Sequence, residues 1–293
     1  MSIQGIMSSS AQRRRLLSIW VILILALGAV IVAIFWSTAE SRGWNVIINF
    51  LLAFETSAIF ALLSTIFLSY YFTDPFDEER ASVLLPEDID GSLNALVQTG
   101  ANYKIFVRTG RHFRASILPA LVQRANLDRS PLRVEVILLD ILDDVVCERY
   151  VEYRRTATFD KREWNLRYLR IEILATIICL AKAIQDSGGR VEIDLFLSKR
   201  LSTLRIDGTD NEIIVTREDP KDVAFRYRRQ DRHFSAFVQD FRWIKQEARE
   251  VPKMRGNTSP IDTLRDVFGD IPLIKELIGE AVAATSKGTP YAR

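Results

Sequence analysis

The chain has 293 residues, of which 48% are hydrophobic, and 39 basic residues against 37 acidic ones leave a formal net charge of only +2. This balance excludes a protein whose whole surface is built to bind nucleic acid, although it permits a local basic patch. The two cysteines, Cys147 and Cys179, lack the number and spacing of a disulfide framework or a zinc site. We therefore expect neither a metal nor a cofactor.

Two long apolar segments stand near the start of the chain. Residues 16–36 include no charge in 21 positions, and residues 46–72 include one ionisable group, Glu55, in 27 positions. As helices they would measure about 32 and 40 Å, enough to cross a hydrocarbon core of about 30 Å. Only nine residues, 37–45, join them. The sequence therefore predicts a membrane protein with a two-helix transmembrane hairpin over 16–72, embedded in a lipid bilayer.

The charges beside the hairpin predict its orientation. Arg13 to Arg15 precede the first apolar segment, whereas the short loop carries only Arg42, opposed by Glu40. Because basic residues stay on the cytoplasmic side, residues 1–15 and everything after Phe72 are expected in the cytoplasm. A signal peptide is the alternative for the first segment. Its apolar run exceeds the ~7–15 residues of a signal core, and a second apolar segment follows at once.

After the hairpin the sequence predicts a linker, an α/β domain and a tail. Residues 73–102 begin with acids and prolines and are predicted to be the linker. Between 103 and 250, β-branched runs alternate with helical periodicity, which predicts an α/β domain with a mixed sheet. Its predicted elements are strand 103–108, a helix starting near Ser116, strand 134–139, helices 143–155 and 162–185, strand 191–197, a hairpin of 202–206 and 212–216, and helix 232–250. Residues 251–293 are predicted to be a tail, in which a further linker precedes an amphipathic helix at 271–284 that docks on the domain or on a partner.

The order of these elements, with Ser202-Thr203-Leu204-Arg205-Ile206-Asp207 on a late strand, resembles one half of the phospholipase D superfamily fold. The active motif of that family, His-x-Lys-x4-Asp, would place its aspartate at Asp207, its histidine at Arg200 and its lysine at Ser202. Arginine stays protonated in proteins and cannot act as the nucleophile. The resemblance therefore implies a phospholipase D-like domain without that catalytic chemistry.

A binding site is expected where the strands end, because ligands of open α/β sheets bind beyond the carboxyl ends of the strands. Arg111 and Arg200 would hold a phosphate-bearing anion, with amides around Gly110 as further donors. The alternative is a solvated rim in which Arg205 and Asp207 only brace the hairpin. The full candidate set is Thr109, Gly110, Arg111, His112, Asp140, Lys199, Arg200, Ser202, Arg205 and Asp207.

A basic run with interleaved aromatic residues follows the hairpin of strands. It comprises Arg226, Arg228, Arg229 and Arg232, interleaved with Phe225 and Tyr227. Such a pattern can contact nucleic acid or anionic lipid headgroups. The alternative is a solvated edge strand.

A hairpin of two spans joined to an enzymatically silent recognition domain resembles the two-transmembrane effectors of bacterial anti-phage systems, including those encoded beside retron reverse transcriptases. The resemblance implies an inner-membrane toxin of abortive infection that its partners hold inactive. Such partners would be a reverse transcriptase–nucleic acid complex or other defence proteins. The alternatives are a membrane-anchored phosphodiesterase or nuclease of the phospholipase D type, and a membrane-tethered ligand sensor or scaffold.

Glu55 is the candidate functional residue inside the membrane. A carboxylate in the middle of the membrane is disfavoured by at least about 2.5 kcal/mol, so it needs a polar group or water beside it. On a helical wheel it shares a flank with Ala58, Thr65 and Ser69, whose small side chains allow close helix approach. We therefore expect this face to contact another copy of the chain in a homo-oligomer. A carboxyl group bonded to its own helix is the alternative.

Overall fold

The computed structural model describes residues 10–37, 42–71, 83–157, 164–219, 221–254, 256 and 258–286. The chain divides into two compact units, residues 1–81 and 82–293. Five parts of the predictions lie outside the described residues. They are the first nine residues, the loop at 38–41, the linker at 72–82, the predicted helix start at 162 and the end of the tail after 286.

The first unit is a packed pair of helices, α1 (Ser10–Ser37) and α2 (Arg42–Tyr71). Both apolar segments are therefore helical, as predicted. Within the described part of the chain, only one stretch, Val46–Ser64, is long and apolar enough to cross a membrane. The apolar stretch of α1, Trp20–Ile34, is shorter. The structure thus supports one candidate span by length and composition.

The contact between the two helices includes Glu55. Ile31 and Ala58 are buried, and a Cβ atom at position 28 would lie 2.9 Å from the Oε1 atom of Glu55. Glu55 and Ala58 therefore face α1 of the same chain, whereas the sequence prediction turns this face toward another copy. The physical reason is that Gly28, which has no side chain, leaves room for the carboxyl group. The side chains of Thr65 and Ser69 lie outside the described part.

The second unit contains an eight-stranded mixed sheet with the order β1-β7-β6-β5-β2-β3-β4-β8. Strands β2, β3 and β4 are parallel to one another, and every other pairing is antiparallel. The strands are β1 Val83–Leu84, β2 Asn102–Phe106, β3 Leu132–Leu139, β4 Val191–Ser198, β5 Leu204–Gly208, β6 Glu212–Arg217, β7 Ala224–Arg228 and β8 Arg249–Glu250. The helices are α3 Pro86–Val97, α4 Leu118–Asp128, α5 Asp144–Thr156, α6 Leu166–Asp186, α7 Phe234–Glu247, α8 Pro260–Phe268 and α9 Pro272–Ala284. This confirms the predicted α/β class and mixed sheet.

Helices cover both faces of the sheet. On one face α6 is buried almost all round, because the sheet lies on one side of it and α8 and α9 pack on the other. The sequence predicts only an apolar stripe on α6. On the opposite face a smaller core joins Phe106, Ile137 and Phe196 to Phe241 and Ile244 of α7. The predicted docking of the tail helix on the domain is confirmed by the α9–α6 packing.

The predicted linker is wrong from residue 83 onward. Strand β1 pairs with β7, and α3 buries Leu93, Leu96 and Val97 in the main core. The residues that indicate a linker in the sequence include Pro86 and Glu87. They occupy the first turn of α3, where proline is tolerated and acids complement the helix dipole.

One helix start and one segment of the tail also differ from the prediction. Ser116 is not an N-cap, because it lies within a π-helical turn at Phe113–Ile117 that leads into α4. Pro119 has no amide hydrogen and its ring crowds the carbonyl four residues earlier, which lies in that widened turn. In the tail, the expected linker contains α8. The side chain of its N-cap residue, Ser259, accepts a hydrogen bond from the amide of Asp262 at 3.1 Å.

Candidate functional site

The carboxyl ends of β2, β3 and β4 meet at one edge of the sheet because the three strands are parallel. Strand β5 runs antiparallel to β2, so its first residue, Leu204, lies at the same edge. The loops after β2 and β3 and the loop that joins β4 to β5 therefore come together there, as predicted. The candidate residues nevertheless divide among several separate contacts.

The loop after β2 is packed against α6. The hydroxyl of Thr176 donates a hydrogen bond to the carbonyl of Thr109 at 2.6 Å. Gly110 has φ +72°, and a Cβ atom there would lie 2.7 Å from the Cγ2 atom of Thr176. Glycine is therefore required for this close approach. Thr109 and Gly110 thus hold the loop on α6.

Asp207 is the centre of a buried network. Its carboxylate accepts hydrogen bonds from Arg205 at 2.5 and 2.8 Å and from the hydroxyl of Tyr103 at 2.9 Å. Asp207 is fully buried and Arg205 is 8% exposed. This arrangement matches the alternative in which the pair braces the strands, because each oxygen of the carboxylate already has a donor.

His112 lies beside this network and is buried. Its Nε2 atom is 3.5 Å from Oδ1 of Asp90 on α3. Burial, followed by the positive charge of Arg205, lowers the pKa of His112 from 6.5 to about 3. The imidazole therefore stays neutral at physiological pH.

The low pKa of His112 predicts a specific loss of stability in acid. Between about pH 6.5 and 3 the unfolded chain binds a proton at this position and the folded chain does not, so stability falls as the pH falls, by at most about 1.4 kcal/mol per unit. From pH 6.5 to 4.5 the wild type should lose about 2 kcal/mol more than His112→Gln. Denaturant unfolding of the whole chain in detergent at both pH values measures this. His233→Gln changes an exposed histidine and is the control, which should lose as much stability as the wild type over the same pH range. An equal loss of stability in His112→Gln and in the wild type would contradict the assignment of this loss to His112.

The remaining candidates after β3 and β4 bind different partners. Asp140 is buried, accepts a hydrogen bond from the amide of Leu142 at 3.2 Å, and lies 3.4 Å from Nε of Arg249. Lys199 pairs with Asp143 at 3.2 Å. These side chains surround the edge without converging on one point.

Arg111 and Arg200 do not form the predicted pair. Arg111 donates a hydrogen bond to the hydroxyl of Tyr168 on α6 at 3.3 Å. Arg200 follows β4, is exposed, and forms no ion pair with any residue that the structure describes. The structure therefore does not support one anion held by both guanidinium groups.

A buried cluster around Glu218 at this edge is absent from the sequence prediction. Oε1 accepts hydrogen bonds from Arg108 at 2.7 Å and from Tyr150 at 2.8 Å, and Oε2 accepts one from Arg154 at 2.9 Å. Arg154 also lies 4.4 Å from the ring centre of Trp164. The only sequence signal is that Tyr150 and Arg154 share one face of α5. Their partners come from distant parts of the chain.

A cavity of about 220 Å³ opens next to this cluster. Tyr150 and Thr203 connect the two, since Thr203 provides a cavity wall and its carbonyl accepts a hydrogen bond from Arg108 at 3.4 Å. Burial, followed by the Glu218 carboxylate, raises the pKa of Tyr150 well above its usual value, so its hydroxyl remains a donor. The cavity is lined by Arg149, Tyr150, Tyr153, Leu201, Ser202 and Thr203.

The cavity has the composition of a small anion site. Arg149 is exposed and forms no ion pair within the described part of the chain, and Ser202 and Thr203 add hydroxyl groups. Two buried guanidinium groups behind the cavity share the single carboxylate of Glu218, which leaves a local excess of positive charge. The volume lies below the ~300–1,000 Å³ of most small-molecule sites, so it suits a small ligand. Of the predicted residues, only Ser202 lines it.

No known family model matches this chain, and no curated protein matches it. Its function is therefore inferred from the fold and from the contacts described above.

Proposed function

We propose that this chain is a membrane-anchored effector of bacterial anti-phage defence. Helices α1 and α2 form a two-span hairpin in the inner membrane, and both termini and the α/β unit lie in the cytoplasm. Partners, such as a reverse transcriptase–nucleic acid complex or other defence proteins, hold the protein inactive. When infection releases it, the hairpins assemble as a homo-oligomer and impair the membrane.

The observation that carries the proposal is the apolar surface of the helical pair. Ile22, Phe50 and Phe60 expose 65–72% of their side chains although they belong to a packed hairpin. An exposed apolar surface of this extent is typical of contact with lipid or with other protein copies. The hydroxyl groups of Thr56 and Ser57 donate hydrogen bonds to the carbonyls four residues earlier at 2.8 and 2.9 Å, which satisfies them inside apolar surroundings.

The α/β unit supports recognition in preference to phosphodiester cleavage. The position of the phospholipase D histidine is occupied by Arg200, and Ser202, at the lysine position, accepts a hydrogen bond from the amide of Leu204 at 3.0 Å. His112 lies near Arg205 but is buried and has a pKa of about 3. The open cavity beside Arg149 provides a place for an anionic ligand or partner.

Induction of the gene in bacteria tests the proposal. The complete chain and a version lacking residues 10–71 should be expressed at equal abundance, each alone and with the neighbouring genes, while growth and entry of a membrane-impermeant dye are followed. The complete chain alone should arrest growth and admit dye, and the neighbouring genes should suppress both effects. Normal growth and no dye entry with the complete chain would favour the ligand sensor or scaffold. Arrest by the shortened version would favour a soluble enzyme.

A further inference from the structure

Strand β7 carries a column of aromatic rings on the face toward α7. The rings of Phe225 and Tyr227 are 6.5 Å apart at 17°, and those of Tyr227 and Phe237 are 4.9 Å apart at 27°. The ring of His233 meets Tyr227 edge-on at 6.0 Å. Phe237 anchors the column on α7, whereas Phe225 at its other end is 38% exposed. The column is therefore packed on α7 at the Phe237 end and partly exposed to solvent at the Phe225 end.

Residues that the structure describes pair with only part of the outer edge of β7. Strand β1 pairs only with Ala224 and Phe225. Among the described residues, no strand pairs with the outer edge of residues 226–228. The backbone of Phe225 is therefore paired with β1, while 38% of the residue stays exposed.

Arginines lie on a fixed turn at the end of the strand. The backbone amide of Arg228 donates to Oδ2 of Asp231 at 2.6 Å, and that of Arg229 donates to the carbonyl of Asn211 at 2.8 Å. Arg228 and Arg232 are exposed and form no ion pair within the ranges that the structure describes. Arg226, by contrast, is engaged with Glu212 at 2.8 Å. The turn thus presents positive charge at the Tyr227 end of the ring column, on the same strand as Phe225.

We infer that this surface, formed by Phe225, Tyr227, Arg228, Arg229 and Arg232, binds single-stranded nucleic acid. A base stacks on Phe225, and the arginines pair with phosphates further along the bound strand, beyond Tyr227. Stacking on aromatic rings beside basic residues is the usual way in which proteins hold unpaired strands. A duplex hides its base faces and is not expected to bind as well. The site is separate from the cavity beside Arg149 and from any action of α1 and α2 on a membrane.

Binding of labelled oligonucleotides to the whole chain in nanodiscs of neutral lipid tests this inference. Fluorescence anisotropy should show tighter binding of a single strand than of a duplex of equal length. Phe225→Ala should weaken single-strand binding about tenfold, since stacking contributes about 1–3 kcal/mol per base. Phe225→Tyr should keep it. Arg232→Gln should reduce the salt dependence by about 0.7 in the log–log slope, the value for one phosphate contact with a single strand.

Matched variants on other surfaces complete the experiment. Trp243→Ala removes an aromatic ring that is 49% exposed on α7, and Arg129→Gln removes an exposed arginine directly after α4; neither should change binding. Absence of binding, equal affinity for single strand and duplex, or an unchanged affinity in Phe225→Ala would overturn the inference. If anionic lipid in the nanodisc abolishes the binding of a single strand, and Phe225→Ala restores it, the surface binds lipid headgroups instead.

Discussion

Replacing Glu172 by leucine is expected to lower the free energy of unfolding by about 3–5 kcal/mol, because the substitution leaves the guanidinium of Arg114 buried without its carboxylate. The two side chains form an ion pair of 2.6 Å and are 0% and 1% exposed. Arg114 also donates hydrogen bonds to the carbonyl of Glu172 and the hydroxyl of Thr176, both at 3.0 Å. Neutral partners alone do not compensate a buried charge.

The same substitution should loosen the last helix of the fold. Arg114 donates a hydrogen bond to the carbonyl of Ala284, the final residue of α9, at 3.2 Å. Hydrogen exchange should therefore accelerate in α9 more than in β3 or β4. Because α9 packs on α6, this loss should appear in the near-ultraviolet dichroism as well as in the exchange rates.

Denaturant unfolding of the complete chain in detergent measures the loss of stability. Arg114→Met combined with Glu172→Leu should recover most of it, since replacing both partners of a buried pair by apolar groups is often nearly neutral. Arg167→Met is the matched control, because its ion pairs with Glu276 and Glu280 are exposed to solvent and should contribute little to stability. A change of less than about 1 kcal/mol in Glu172→Leu would show that the buried pair is not needed.

Glu55→Leu is expected to abolish growth arrest by the induced protein. The carboxyl group lies at the contact of α1 and α2, next to Gly28, and inside the proposed membrane span its charge would cost about 2.5 kcal/mol or more. Leucine removes that cost and stabilises the resting hairpin, and it also removes the one acid within the apolar window of α2. We expect the acid to be needed when the helices separate and assemble with other copies. It would either form a hydrogen bond between helices or line a path for water across the membrane.

The substitution series separates these roles. Glu55→Gln should keep most of the arrest if hydrogen bonding is what matters, and should lose it if ionisation matters. Phe60→Leu changes a side chain that is 72% exposed on the same helix and should leave arrest intact as the control. Growth, dye entry and membrane abundance are measured together. Full toxicity of Glu55→Leu at equal abundance would show that the acid has no part in the mechanism.

The sequence predicts those parts of the fold that local patterns encode. Continuous β-branched runs indicate β3 and β4, and helical spacing indicates α5, α6 and α7 to within a few residues at most boundaries. Helix α3 is absent from the prediction because its first turn has the composition of a linker, although its last turns are buried. Composition cannot distinguish an exposed first turn from a loop.

The candidate site is less predictable, because its contacts join distant residues. Glu218 accepts hydrogen bonds from Arg108, Tyr150 and Arg154, which lie 64 to 110 residues away from it in the sequence. A carboxylate after a strand gives no local sign of such partners. Conversely, the sequence leaves open whether Arg205 and Asp207 belong to a ligand site or brace the hairpin, and it gives no sign of their burial, because charged residues are usually exposed. They are buried because Tyr103 and the pair itself satisfy their hydrogen bonds.

The proposed placement of the α/β unit in the cytoplasm by a two-span hairpin is tested most directly by alkaline phosphatase fusions, since that enzyme is active only in the periplasm. We expect a fusion within the loop at 38–41 to be active and a fusion after Arg293 to be inactive, with both proteins present in the membrane at equal abundance. Activity of the fusion after Arg293, together with a cleaved N-terminus, would contradict the hairpin.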